Sequence, residues 1–266
     1  MTVLYSPAWR RQTIVLWHSV QLASLLAWHQ IRSNYRRSVL GPWWLTLGIG
    51  VQITAIAIIF PAVFGTDRAD YAPYLAAGIV VWNLVANVLI EGARGYTEMQ
   101  SFLLHAELSP VVPPLKVLFQ NLIVFFHHLV LLALWFLLFP PPGAPNLLGF
   151  LAGLTVLLIN LAWLSQIFAI VGARFRDYPP LVVAALNIAF FLTPILWQVD
   201  AELHGPTGLL AFLNPLHHMV DSVRSPLLGG EIPQGSLFVG LGLVFLGISA
   251  AILIVSRFYW RVPYWV

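Results

Sequence analysis

The sequence predicts an all-α integral membrane protein whose helices cross the bilayer six times. Of the 266 residues, 59% are hydrophobic and 9% are charged, whereas a soluble domain carries about 25% charged residues. Because so few charged residues cannot cover a water-facing surface, lipid must cover much of the surface of this protein. Six apolar stretches reach the length of about 20 residues that a helix needs to span the hydrocarbon core. Transmembrane strands are a poor alternative, since these stretches do not alternate apolar and polar residues.

The predicted spans are separated by charged or proline-containing connections. Proline lacks a backbone N–H and cannot continue a helix, so the prolines at 140–142 end the third span and those at 179–180 precede the fifth. We take the whole chain, 1–266, as a single transmembrane domain. The six predicted transmembrane helices are 43–64, 74–90, 115–139, 147–173, 181–199 and 236–255.

Lysine and arginine set the predicted orientation, because cytoplasmic loops of membrane proteins are enriched in these residues. If the N-terminus is cytoplasmic, the outer side holds only Arg68 and Arg224. The inner side then holds Arg10, Arg11, Arg32, Arg36, Arg37, Arg94, Lys116, Arg174, Arg176, Arg257 and Arg261. This asymmetry predicts a multi-pass protein with both termini in the cytoplasm.

Residues 13–37 are predicted to form a helix that does not cross the membrane. Polar residues of this segment, among them His18, Gln21 and Arg32, fall within one arc of about 80° on a helical projection. Apolar residues lie opposite, which is typical of an interfacial helix that lies on the cytoplasmic leaflet and faces a partner. A membrane anchor without a partner is the alternative.

Two further segments do not span. Residues 98–108 lie on the cytoplasmic side and end at prolines, so we expect a coupling helix that contacts a soluble partner, with a capped loop as the alternative. Residues 200–230 lie on the outer side, and their apolar pieces are short. They are predicted to form re-entrant helices that dip part-way into the membrane.

The motifs of several enzyme classes are missing. The chain contains no cysteine, no GxxxxGK[ST] phosphate-binding loop, no HExxH and no GxSxG. His127-His128 and His217-His218 are adjacent pairs, and helical neighbours do not face each other, so neither pair makes a metal site alone. No basic block is long enough to follow a nucleic acid backbone. We therefore expect no catalytic residue, metal site, bound cofactor or nucleic acid partner for this chain.

Polar residues form a stripe on the second predicted span. Asn83, Asn87, Glu91 and Arg94 recur at spacings of four, four and three residues, which places them on one helix face. Ionisable groups inside a span usually face the bundle interior or a water-filled path. We interpret the stripe as part of a substrate path. Hydrogen bonding to a neighbouring helix is the alternative for the asparagines.

Two tryptophans, Trp82 and Trp163, lie deep in their predicted spans. Other tryptophans lie near span ends, where they suit the aromatic belts at the membrane surface. Because aromatic rings suit the apolar C–H faces of sugars, Trp82 and Trp163 are candidates for lining the path, with core packing as the alternative.

The outer segment contains a candidate ion pair. Asp221 and Arg224 are three residues apart, so on a helix they would be neighbours. We interpret the pair as fixing an outer gate over the exit of the path. The alternative is a pair that only shapes an outer loop.

Three stretches resemble the permease subunits of type II ABC exporters for polysaccharides, including O-antigen exporters. They are YRRSVLGPWWLT at 35–46, ARFRDYPP at 173–180 and NPLHHMVDSVRSPLLG at 214–229. The predicted order of elements is also similar, so the resemblance covers nearly the whole chain. It implies export of a lipid-linked, O-antigen-like polysaccharide across the bacterial inner membrane. Two copies of this chain would pair with two separate ABC ATPase subunits, which would hold the ATP and Mg.

The expected contacts with the ATPase lie on the arginine-rich side. Both the 13–37 helix and the 98–108 helix expose polar faces there. Within them, the residues predicted to couple transport to ATP hydrolysis are Arg36, Arg37, Glu98 and Glu107.

The sequence is also compatible with other functions. The same fold is compatible with a capsule glycan, a teichoic acid or a drug as the cargo instead of O-antigen. A membrane-embedded glycosyl- or phosphotransferase would need clustered acidic residues for metal and phosphate chemistry, whereas the acidic residues of the inner face are dispersed. A scaffold without a transport role leaves the polar stripe unexplained.

Overall fold

The computed structural model describes residues 8–41, 43–65, 67–105, 109–198 and 206–266. All regular structure within these ranges is helical, as predicted. In chain order the helices are α1 (Ala8–Asn34), α2 (Trp43–Phe64), α3 (Arg68–Gly92), α4 (Gly95–Glu98), α5 (Gln100–His105), α6 (Val112–Leu138), α7 (Leu147–Arg174), α8 (Tyr178–Leu192), α9 (Pro206–Leu213), α10 (Pro215–Leu227), α11 (Gln234–Phe258) and a 3₁₀ helix (Tyr259–Tyr264).

Five of the predicted spans are confirmed as helices long and apolar enough to cross a membrane: α2, α3, α6, α7 and α11. The second span begins earlier than predicted, at Arg68 instead of residue 74, because Asp67 caps the helix. Its side chain accepts a hydrogen bond of 2.9 Å from the backbone N–H of Ala69, which satisfies one of the free donors at the helix start.

The fifth predicted span, 181–199, is longer than the helix that forms there. Helix α8 has 15 residues and ends at Leu192. At 1.5 Å per residue this is about 22 Å, short of the roughly 30 Å of a hydrocarbon core. The cause is Pro194, since a residue before proline is driven out of the helical region, and Thr193 has φ −90° and ψ 134°. The six-span layout is therefore not confirmed; five long helices and one short apolar helix are found among the described residues.

The outer segment contains two short helices, α9 and α10, of 8 and 13 residues. Asn214 divides them, because its side-chain oxygen caps α10 by accepting a 2.9 Å hydrogen bond from the N–H of Leu216. Neither helix is long enough to span, in keeping with the expectation for 200–230. Residues 199–205 lie outside the described ranges, and the re-entrant placement of the segment stays a prediction.

Helix α3 lies at the centre of the bundle, where it packs against α2, α6, α7, α8 and α10. Its crossing with α7 is close because two glycines leave room. A Cβ added to Gly172 would overlap the carbonyl oxygen of Ala93, and one added to Gly92 would be within 3.2 Å of the Cα of Ser165. Small residues let helix backbones approach in this way, so the position of α3 is fixed tightly against α7.

Short elements form a layer at the end of the bundle that carries most of the arginines. The segment predicted as an interfacial helix, 13–37, is helical as far as Asn34 in α1, and the predicted coupling helix, 98–108, corresponds to the end of α4 and to α5. Residues 106–108 lie outside the described ranges, and the interfacial and coupling roles stay predictions. Met99 packs with Ala23 of α1 and Val112 of α6. Leu103 of α5 packs in a second cluster with Val262 of the 3₁₀ helix. The layer therefore joins the interfacial helix, the coupling segment and the C-terminal residues of the chain.

Candidate functional site

The open face of α3 is also its polar face. Between residues 75 and 92 every side chain of this helix is buried except five, which are half-buried: Asn83, Ala86, Asn87, Ile90 and Glu91. Their spacings of three and one residues place them on one side of the helix, and the exposed Arg94 continues the series. The predicted stripe is therefore one continuous, partly accessible face, and the other sides of α3 are enclosed by protein.

Glu91 is held by amides from α6. The side chain of Asn121 donates a 2.8 Å hydrogen bond to the Glu91 carboxylate, and the Gln120 amide approaches the same oxygen at 3.5 Å. Lys116, buried on the same helix, is near enough to attract this carboxylate. Tyr35, in the turn after α1, lies close as well: burial, and secondly the charge of Glu91, raises the pKa of Tyr35. At the C-terminal end of α3, the stripe is thus part of a polar cluster to which α3, α6 and the α1–α2 connection contribute.

The two asparagines differ from Glu91. Asn83 donates a 2.9 Å hydrogen bond to the carbonyl of Ile79 in its own helix. Within the described ranges, no hydrogen bond joins Asn83 or Asn87 to another helix. In this chain the asparagines thus leave polar surface on the open face of α3 without fastening a neighbour.

Both candidate tryptophans are used in packing. Trp82 is 6% exposed and belongs to the main core, where its ring lies 5.8 Å from that of Phe190 in α8. The indole N–H of Trp163 donates to the side-chain oxygen of Asn160 at 2.9 Å. The ring of Trp163 covers Gly247 of α11, where a Cβ would overlap it. Among the described residues, neither tryptophan shares a hydrogen bond or a ring contact with Asn83, Asn87, Glu91 or Arg94.

The coupling segment is fixed by a buried tyrosine that the sequence analysis did not single out. The hydroxyl of Tyr96 donates to the carbonyl of Pro110 at 2.8 Å and accepts a 2.6 Å hydrogen bond from the side chain of Gln166 in α7. Tyr96 is completely buried, and burial raises the pKa of its hydroxyl. Glu98, two residues later, is exposed. Tyr96 therefore joins α4 to Gln166 of α7 and to the backbone at Pro110.

The predicted coupling residues lie at separate places. Arg36 lines a cavity with Tyr35, Ile123 and His127 near the middle of α6. Glu98 is adjacent to Met99, which packs with the first residue of α6. Arg37 is exposed in the turn after α1, and Glu107 lies outside the described residues. The structure thus does not bring the arginine pair of the α1–α2 turn next to Glu98.

The predicted outer pair is present. Arg224 and Asp221 form an ion pair of 2.8 Å, with side chains 3% and 18% exposed. The guanidinium also donates to the carbonyl of Pro194 and lies over the ring of Tyr74 at 4.1 Å from its centroid. The Tyr74 hydroxyl donates to the same Pro194 carbonyl at 2.9 Å and approaches that of Trp197 at 3.1 Å. We call these residues (Tyr74, Pro194, Trp197, Asp221 and Arg224) the outer clamp, because they tie the turn after α8 to α3 and α10.

Tyr74, Tyr96 and Asn121 are the residues that sequence reasoning missed. Asn121 could have been found from the sequence, since an amide inside an apolar span is expected to have a hydrogen-bond partner. The tyrosines carry little signal, because an aromatic residue near a span end also suits the membrane surface.

One histidine of each pair, His127 or His218, has hydrogen-bond partners within the fold, whereas one buried ring nitrogen of His128 and one of His217 have none among the described residues. Both ring nitrogens of His218 are within hydrogen-bond distance of partners, Ser236 at 3.1 Å and the carbonyl of Phe212 at 2.8 Å. His128 is 2% exposed. Over the part of the chain that the structure describes, no three histidine or acidic side chains lie close enough to hold a metal ion.

Comparisons with known proteins identify the family. The sequence profile of the ABC-2 type transporter family matches residues 21–228. An O-antigen export system permease protein of Myxococcus xanthus is 21% identical over 220 residues, which are 82% of this chain and 85% of the relative. The protein of the same name from Klebsiella pneumoniae is 22% identical over 234 residues, with 82% and 86% of the two chains covered. Because the family profile matches most of its length, this chain belongs to the ABC-2 type transporter family.

Proposed function

We propose that this chain is the membrane-spanning subunit of an ATP-driven exporter that moves a lipid-linked, O-antigen-like polysaccharide across the bacterial inner membrane. The observation that carries the proposal is the open polar face of α3, from Asn83 to Arg94. Polar groups inside hydrocarbon are costly unless they have partners or water. A hydrophilic glycan needs a route of this kind. The names of the two relatives support a polysaccharide as the cargo.

A second copy of the chain is part of the proposal. The open face of one α3 supplies only one wall, and its half-buried side chains need cover on the other side. Most oligomers of identical chains are symmetric, and a two-fold pair is the commonest form. Two such faces opposed across a two-fold axis would enclose a polar route.

A separate ABC ATPase is the other proposed partner and would hold ATP and Mg. Membership of the transporter family supports it. On the arginine-rich end, Thr97, Glu98 and Gln100 are exposed on the coupling segment, which Tyr96 joins to α7. A soluble subunit docked there would act on a span directly. We place this end, with both termini, in the cytoplasm because of its arginine content.

The test is reconstitution with an ABC ATPase in proteoliposomes. Lipid-linked O-antigen should stimulate ATP hydrolysis by the complex, and the chain alone should hydrolyse none. Stimulation by a capsule glycan, a teichoic acid precursor or a drug in place of O-antigen would reassign the cargo. Hydrolysis that no candidate cargo changes would contradict an export function.

The path itself is tested by single cysteines, since the chain has none of its own. Cysteines at Asn83, Asn87 and Glu91 should react with a polar maleimide in the assembled complex during turnover. Val85, which is fully buried on the same helix, is the control position and should stay protected. Equal protection at all four positions would mean that the stripe is a packing surface.

A further inference from the structure

A cavity of about 450 Å³ opens at the arginine-rich end of the bundle, beside the coupling segment. Its walls come from helix ends: Arg94 and Thr97 after α3, Gly172 near the end of α7, Arg176 before α8 and Trp265 after the 3₁₀ helix. Helices α3, α7 and α11 are candidate spans that end near this cavity, so in a bilayer the cavity would lie where the hydrocarbon core gives way to the head groups.

The charges around this cavity are mostly positive. Arg94 and Arg176 line it and are exposed. A third guanidinium, that of Arg174, lies 5.6 Å from the ring centroid of Trp265 in the wall. Among the described residues that line the cavity, Glu98 has the one acidic side chain. Within the described part of the chain, no carboxylate lies within 4.0 Å of Arg94 or Arg176, so their N–H donors are available.

We propose that this cavity binds the phosphate head group of an anionic glycerophospholipid of the surrounding bilayer. Arginine offers a planar fork of donors that matches phosphate oxygens, and Arg94 and Arg176 present two of these forks. Thr97 and Gln100 also line the cavity, but they lie on the coupling segment proposed to contact the ATPase, so the head group would be held by the two arginines. Basic pockets between spanning helices at the membrane surface bind lipid head groups by the same chemistry.

The position favours a lipid over a soluble anion. A head group that enters from the bilayer keeps its acyl chains against the apolar ends of α7 and α8, and the aromatic ring of Trp265 suits the membrane surface. A lipid bound here would brace Arg94, at the end of α3, against Arg176, at the start of α8.

The proposal is tested on the full chain purified in mild detergent and analysed by native mass spectrometry. After extraction from membranes that contain phosphatidylglycerol and phosphatidylcholine, the wild-type protein should retain phosphatidylglycerol at least tenfold over phosphatidylcholine. The double substitution Arg94→Gln with Arg176→Gln should abolish this preference. Arg94→Lys with Arg176→Lys should keep part of the preference, because lysine retains the positive charge but lacks the planar pair of N–H donors of arginine.

The matched control is Arg261→Gln, which removes an arginine at the same end that lies over Trp260 at 4.6 Å and does not line the cavity. It should leave lipid retention unchanged. Equal losses in the control and in the double variant would overturn the proposal, as would equal retention of the two lipids by the wild type. Displacement of phosphatidylglycerol by millimolar inorganic phosphate would reassign the site to a soluble anion. If the double variant keeps its lipid but fails to co-purify with the ATPase, the arginines serve an acidic surface of that subunit instead.

Discussion

Tyr74 joins three parts of the chain through one side chain. Its ring lies under the guanidinium of Arg224 and its hydroxyl is within reach of the carbonyls of Pro194 and Trp197. The turn 193–197 lies beyond the end of α8, so the carbonyls of Pro194 and Trp197 accept no helical hydrogen bonds. They depend on side-chain donors instead. The outer clamp therefore replaces backbone hydrogen bonds that Pro194 prevents.

We expect Tyr74→Phe to weaken the outer clamp selectively. The ring and its contact with Arg224 remain, whereas the carbonyl of Trp197 loses its side-chain donor and that of Pro194 keeps only the Arg224 guanidinium, at a cost of about 1–3 kcal/mol in the free energy of unfolding. The thermal unfolding midpoint of the purified protein measures this loss. Tyr264→Phe is the control, because Tyr264 is 83% exposed. A Tyr74→Phe protein as stable as this control would show that the hydroxyl does not hold the turn.

Tyr96→Phe makes a second test at this scale, on the opposite end of the bundle. It removes a hydroxyl that is bonded to Pro110 and Gln166, and we expect a loss of about 1–3 kcal/mol near neutral pH. Since burial raises the pKa of Tyr96, the folded state favours the protonated hydroxyl. The stability gained this way is present below the ordinary tyrosine pKa of about 10 and is lost as the pH rises above it.

The alkaline limb of the stability curve is therefore diagnostic for Tyr96. Wild type should lose stability above about pH 10, and Tyr96→Phe should lose less over the same range because it has no hydroxyl to ionise. Midpoints of thermal unfolding measured from pH 8 to about pH 11 for both proteins make the comparison. Identical slopes would mean that Tyr96 ionises in the folded state as readily as in the unfolded one.

At the residue scale, the sequence predicts which residues lie on the same face of a helix better than it predicts which residues of other helices they contact. Asn83, Asn87 and Glu91 lie on one face because helical periodicity fixes this without reference to the rest of the fold. The Asp221–Arg224 pair is predictable for the same reason. The partnership of Glu91 with Asn121 depends on how α3 and α6 meet, which long-range packing decides.

At the scale of helices, the crossing of α3 and α7 depends on the absence of a side chain at Gly172. We expect Gly172→Ala to force the helices apart at Ala93, with a loss of about 1–3 kcal/mol in stability. The control is Gly242→Ala in α11, where an added Cβ meets nothing within 4 Å. Alanine favours a helix over glycine by up to about 1 kcal/mol, so the control should be neutral or more stable. The opposite order of the two proteins would refute the close crossing.

Helix existence is predictable here from length and hydropathy, and helix ends less so. The spans at α2 and α7 match the predicted limits within a residue, because prolines, charges and capping residues flank them. The span at 181–199 is too long by several residues, since the apolar run continues through Thr193-Pro194 while the backbone does not. An apolar composition alone cannot reveal that a proline in the run ends the helix rather than kinks it.

For the molecule as a whole, the connections between helices form two groups, and the members of each group contact one another. The loop between α6 and α7 lies against the end of α10: the N–H of Gly143 donates to the carbonyl of Leu228 at 3.2 Å, and that of Asn146 donates to Pro226 at 2.9 Å. The other group contains the coupling segment and the 3₁₀ helix, which share a hydrophobic cluster. Arginine counting assigns the first group to the outside and the second to the cytoplasm, and the contacts require that members of one group share a side.

This requirement yields a prediction about labelling in intact cells. The chain has no cysteine of its own, so single cysteines report one position at a time. Cysteines at Ala144 and Glu231, exposed in the first group, should react with a membrane-impermeant maleimide added outside. A cysteine at Thr97, exposed in the second group, should react only after the membrane is permeabilised. Among the described residues, α6 is the one candidate span between Thr97 and Ala144. Reaction of these two positions from the same side would mean that α6 does not cross the membrane. Labelling of Ala144 and Glu231 from different sides of the membrane would contradict the contact between their loops. If all three positions were labelled from the side opposite to the expected one, the fold would stand and the orientation predicted from the arginines would be inverted.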